Sequence, residues 1–172
     1  MANLRKIQTE IQINTSKAKA WEALFTQFGE TYRFNPNLVG SHFSGGEQGA
    51  VGCERVCELD AKTTVKEKIV AADELNSFRI EVTGGNMPFV NTMIADIKLQ
   101  SISPEKTKII LEAGFNTKPV FMGFLMKSPF KSKLTDMLIG LKYYLETGKE
   151  VSKKTYKPIS KTYKQLEVSQ SF

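Results

Sequence analysis

The side chains of this 172-residue chain best placed to do chemistry are an arginine and a glutamate, Arg55 and Glu67. Arg55 shares its parity with Cys53, Cys57 and Leu59, and Glu67 shares its parity with Val65, Ile69 and Ala71. In a strand, such a shared parity marks the face turned toward the core. If Asp60-Ala61-Lys62 is a three-residue loop, Leu59 faces Thr63, and counting back sets Arg55 opposite Glu67. An unpaired charge on that inner face would be very costly, so the two side chains must meet. Such a pair fixes the register of its hairpin. On the wall of an apolar cavity it can also anchor a ligand's carboxylate, hydroxyl or carbonyl.

Other chemistry finds little support. His42 is the only histidine; its parity opposes Phe43, which puts it on an outer or rim position, and no serine or cysteine forms a triad with it. Glu10, Glu81 and Glu112 fall on outward parities, so no second carboxylate joins Glu67 for paired acid–base work. The glycines of Gly45-Gly46-Glu47-Gln48-Gly49 are followed by no Gly-Lys-Ser/Thr and open no helix, which reads as a hairpin loop rather than a phosphate cradle. Cys53 and Cys57, on one strand, would lie about 13 Å apart, beyond disulfide reach, and lack histidine partners at zinc spacing. They are expected to be free thiols in the core. Neither a metal nor a cofactor is expected.

Composition, 41% hydrophobic and 24% charged, fits one globular domain. No apolar run approaches the roughly 20 residues of a membrane span. The chain enters an alternating pattern at once, without a charged-then-apolar leader, so a cytoplasmic protein is expected. Residues 149–164 hold six lysines and one acid, nearly all of the net +6. Lysines without arginine or aromatic platforms do not suggest specific nucleic-acid binding. The division expected is a domain over 1–148 and a solvated basic tail over 149–172.

The elements that must hold Arg55 and Glu67 follow from periodicity. Strands are expected at about 6–13, 39–44, 51–59, 63–72, 77–83, 91–101 and 107–115. A short helix from Lys17, capped by Ser16, and a second turn over Glu30 to Phe34 separate the first two strands. Pro119 to Met126 reads as a short helix or ordered loop. A long amphipathic helix then runs from Pro129, a residue suited to a first turn, to Thr147, with Gly148 as its left-handed stop. Phe130, Leu134, Met137, Leu138, Leu141 and Leu145 form its apolar stripe, which must be buried against the sheet. Gly140, inside that helix, implies close approach by a strand or a ligand.

This order of elements, with SKAKAWEAL after the first strand, Gly52-x-x-Arg55, VKEKIVAAD, KIILEAGF and GLKYYLE, resembles the START-related superfamily that includes the birch-pollen allergen, in its polyketide cyclase/dehydrase and lipid-transport branch. The motifs span residues 6–147. The resemblance implies an α+β helix-grip fold: a seven-stranded antiparallel sheet curled around the C-terminal helix, two short helices between strands one and two, and a cavity for an apolar or amphipathic molecule. It also implies that the loop carrying Met87, Pro88 and Phe89, hinged at Gly84-Gly85, covers the entrance.

The function expected is binding or carriage of a small hydrophobic molecule, by a monomer or homodimer. The candidate ligand-binding residues are Arg55, Glu67, Tyr32, Phe89, Met93, Phe115, Phe130, Leu134 and Met137. Trp21 reads as either a cavity-mouth residue or plain core. Two alternatives stand beside this reading. One is a cyclase or dehydratase that uses Arg55, Glu67 or Tyr32 in the same cavity; the other is a protein-interaction module working through the basic tail.

Overall fold

Alternation is strict on β1 (Arg5–Ile13), where Ile7, Thr9, Ile11 and Ile13 are buried and their neighbours are not. The computed structural model describes residues 4–169, with side chains through Lys164. Ser16 accepts a hydrogen bond from the Lys19 amide at 3.4 Å and starts α1 (Lys17–Trp21). The chain continues through a π-helical turn, Glu22–Thr26, and a 3-10 segment, Phe28–Arg33. Trp21 belongs to the core, stacked on Phe25 with ring centroids 4.4 Å apart and set edge-on to Phe78.

Six further strands follow: β2 (Gly40–Gly45), β3 (Glu54–Glu58), β4 (Thr64–Asp73), β5 (Ser77–Gly85), β6 (Val90–Ser103) and β7 (Lys106–Thr117). They form one antiparallel sheet in the order β1-β7-β6-β5-β4-β3-β2. Hairpins connect β2 through β7 in sequence, and only β1 crosses to pair with the last strand. The helical segments between β1 and β2 fill that crossover. This is the seven-stranded helix-grip architecture that the motifs imply.

Parity fails at one expected point. A register shift between Ile69 and Ala71 rotates the end of β4, so Ala71 is exposed opposite Arg79 instead of facing inward. His42 is exposed and Glu112 lies on the outer face, bonded to Lys98 at 2.8 Å. Both cysteines are free and buried.

Helix α2 spans Met122–Thr147, seven residues longer at its start than the Pro129 boundary suggests. Pro129 sits inside the helix on an exposed face. The carbonyl four residues back then loses its helical partner where water can replace it, which makes the interruption tolerable. Gly148 caps the helix with φ 72°, its amide donating to the Tyr144 carbonyl. Leu138, Ile139 and Leu141 are fully buried against the sheet, with α2 lying chiefly on β1 and β7.

Gly140 is needed for a different reason from the one expected. A Cβ there would collide with the carbonyl oxygen of Phe34 and press Pro36 at 3.2 Å, so the close approach comes from the chain after the 3-10 segment. The lysine-rich stretch beyond Gly148 also departs from a solvated tail. It forms α3 (Lys153–Ser169), buries Val151 and Ile159 in the common core, and packs Tyr156 and Tyr163 against it. Its lysines occupy the outer side of an amphipathic helix whose apolar side completes the domain.

Candidate functional site

The hairpin of β3 and β4 sets Arg55 opposite Glu67, as the parity count requires. Arg55 Nε donates to Glu67 Oε2 at 2.7 Å and Nη1 donates to the Phe28 carbonyl at 2.9 Å. The guanidinium lies 3.9 Å above the Phe28 ring, a cation–π contact in a desolvated setting. Burial is the largest influence on Arg55 and opposes its charge, but the Glu67 carboxylate leads a set of interactions that outweigh it and raise its proton affinity. The Cys57 thiol sits 3.5 Å from Glu67 Oε2, and burial pushes it up to about 12. It is an inert neutral donor at physiological pH.

The two partners are not equally available. The Arg55 side chain is 10% accessible and is committed to Glu67, Phe28 and the sheet. Glu67 is 21% accessible, and its second oxygen takes no hydrogen bond from a described residue. Of the two, Glu67 is the one with an oxygen left to accept a further hydrogen bond, and Arg55 fixes the carboxylate's position from behind.

Burial inside the grip differs between its two ends. At one end Phe78, Ile80, Ile97, Leu99, Leu138 and Leu141 are buried. Toward the other end Val82, Met93, Phe130 and Leu134 keep some exposure. The β5–β6 ladder runs from Ser77–Lys98 to Glu81–Ile94 and stops short of Val82. Glu67 pairs in register with Val82, so it stands at this same less covered end. Phe130 meets Phe115 edge-on at 4.8 Å, and Phe115 lies in register with Met93.

Phe115, Phe130 and Met93 are thus brought together, with Leu134 and Ala95 packed against the core nearby. Met137 is buried at the boundary between the two ends. Tyr32 stands apart: its ring is exposed on the 3-10 segment, whose backbone is tied to β2 through Ser41. Phe89 is half-exposed with φ 64°, and its carbonyl accepts the Lys118 amide, so the β5–β6 loop lies beside the chain that leads into α2.

A sequence match now bears on this geometry. The family model for polyketide cyclase / dehydrase and lipid transport matches residues 5–146. The chain belongs to that family. The matched stretch covers every strand and nearly all of α2, and leaves α3 outside. Among solved structures, the chain is similar to a ginseng major latex-like protein from Panax ginseng at 19% identity, with 85% of this chain and 97% of that one covered and a TM-score of 0.64. It is also similar to the protein XoxI from Bacillus cereus at 15% identity, covering 83% and 96% with a TM-score of 0.67. A protein from Thermobifida fusca matches at 16% identity, covering 81% and 92% with a TM-score of 0.66. At these identities the likeness is one of fold. No curated protein matches the chain.

The polyketide cyclase-like domain carries two recesses at the edges of its sheet–helix packing. One, about 1180 Å³, runs between β1, α2 and α3 beside Lys142, Glu146 and Tyr163. Lys142 and Glu146 are bridged at 2.8 Å, and the Tyr163 hydroxyl donates to Glu146 at 3.4 Å. Burial first, and Glu146 second, push the Tyr163 hydroxyl up to about 12. These groups fasten α3 to the domain. The second recess, about 570 Å³, lies where β1 and β7 meet the start of α2. Among the described residues, no three His, Cys, Asp or Glu side chains gather in a way that could hold a metal, and no helix is long and apolar enough to cross a membrane.

Proposed function

We propose that the protein binds and carries a small hydrophobic or amphipathic molecule in the less covered end of its grip. One observation carries the reading: apolar side chains on β5, β6 and α2 stay partly exposed at the end where Glu67 faces Val82, while the same rows are sealed at the other end. Leaving them uncovered forgoes burial worth roughly 25 cal/mol for each Å² of apolar surface. A ligand that covers them recovers it. Membership of a family named for polyketide cyclases and lipid transport agrees with this class of cargo, and the carboxylate of Glu67 suits a cargo with one hydroxyl or amide donor.

Native mass spectrometry of protein purified from its own cells tests the reading. An apolar molecule is expected to co-purify and to be lost, at unchanged fold, when Val82→Phe crowds the partly exposed row beside Glu67. Recovery of empty protein, together with equal uptake of an apolar fluorescent probe by the parent and the crowded variant, would refute it.

A further inference from the structure

The turn from β7 into α2 carries exposed apolar side chains that the packing of the fold leaves uncovered. Val120, Phe121, Phe124 and Leu125 are each at least 60% accessible. Four large apolar side chains exposed within six residues form a patch that water disfavours and that marks an interaction surface. Beside it lies the 570 Å³ recess, lined by the cations Arg5, Lys118 and Lys127 and the amides Asn91 and Asn116, with no acid among its described residues. None of the three cations is ion-paired with a described residue. A Cβ at residue 123 would press on Arg5 Nε at 2.6 Å, so Gly123 lets the guanidinium lie against the first turn of α2. From Asn116 to Thr135 the chain has four lysines and no acid.

We propose that this end of the molecule docks on an anionic lipid bilayer. Phe121, Phe124 and Leu125 enter the boundary between headgroups and acyl chains, and the Arg5–Lys118–Lys127 recess takes a lipid phosphate. Charge complementarity selects the occupant. A soluble anion would use the recess but leave the aromatic side chains in water, whereas an anionic bilayer satisfies both at once. The surface stands independently of the cargo, since an empty grip would dock equally well.

Sedimentation of the full chain with vesicles tests this. Binding is expected to vesicles of phosphatidylcholine mixed with phosphatidylglycerol, and not to phosphatidylcholine alone. Phe121→Ser with Phe124→Ser should abolish it, and Lys118→Gln or Lys127→Gln should weaken it roughly fivefold each. Phe124→Trp should be quenched by brominated acyl chains, with the buried Trp21 as silent background. The substituted side chains are all exposed, and thermal melts verify that each variant folds. The idea fails if the mixed vesicles do not bind. It fails equally if binding follows Lys157→Gln and Lys161→Gln on α3 without acyl-chain quenching, or if inorganic phosphate occupies the recess while vesicles are ignored.

Discussion

Arg55→Met is the most informative single change, because three contacts end together. The ion pair with Glu67 at 2.7 Å, the hydrogen bond to the Phe28 carbonyl at 2.9 Å and the stacking over Phe28 are all lost, while methionine keeps much of the volume. Breaking a buried pair by removing one partner costs about 3–5 kcal/mol. Glu67 retains some access to water, which places the cost near the lower bound, about 3 kcal/mol. For a domain of this size each kcal/mol lowers Tm by about 2–4 °C, so the melt should fall by roughly 6–12 °C. Much of that cost is the stranded carboxylate. Adding Glu67→Gln should therefore restore stability, and a double-mutant cycle in urea should show coupling of at least about 1 kcal/mol. Additive single changes, or an Arg55→Met cost under about 1 kcal/mol, would refute the account. Ligand retention separates the partners further. Glu67→Gln should reduce retention more than Arg55→Met does in whatever fraction stays folded, and unchanged retention in both would remove the polar anchor.

Three other outcomes follow from particular contacts. Gly140→Ala should destabilise by about 1–2 kcal/mol despite alanine's better helix propensity, because the Phe34 backbone cannot yield cheaply; an increase in Tm would contradict that. Cys57 in the fold titrates at about 12 against an ordinary 9.0, so the folded state holds its proton more tightly between those values. Its contribution is complete below about pH 9 and declines as pH rises toward 12, and native protein near pH 8 should resist alkylation until it is unfolded. Fast modification of native protein would show the thiol to be accessible. Ile159→Ala should cost about 2–3 kcal/mol in a denaturant melt, since α3 closes the core; a value near zero would return residues 149–164 to the status of a solvated tail.

Legibility tracked how local the physics was. The register of Arg55 with Glu67 was readable because alternation and a three-residue turn determine it within one hairpin. The order of the seven strands, the helical crossover and the long helix was equally readable, since each of these elements carries its own periodicity. What escaped depended on distant partners or on solvent. Phe28 beneath Arg55 comes from a different element, and so does the Phe34 carbonyl against Gly140. The bulge after Ile69 leaves no mark in residue type, so Ala71 kept an inward parity that the structure denies it. The early start of α2 was hidden by Pro129, which ordinarily signals a first turn. The burial of α3 was masked by its lysines, because the tail was read by net charge instead of by the spacing of Val151, Tyr156, Ile159 and Tyr163.

The long helix then divides into two halves with different duties. From Asp136 onward it is held by the core, by the Phe34 backbone at Gly140 and by α3 through Tyr156 on Asp136 and Tyr163 on Glu146. Before Leu134 it is supported mainly by Gly123 against Arg5 and Phe130 against Phe115, with Pro129 removing one of its backbone hydrogen bonds. Local opening free energies follow such differences in buried contact, so hydrogen exchange should be slow after Met137 and faster before Leu134. That gradient is what a carrier requires. Under the proposed function, the half that exchanges slowly preserves the fold while the other half yields to admit cargo. A ligand seated against Phe130 and Leu134 should slow exchange in the first half alone, and uniform slowing along the whole helix would mean that the cargo sits elsewhere.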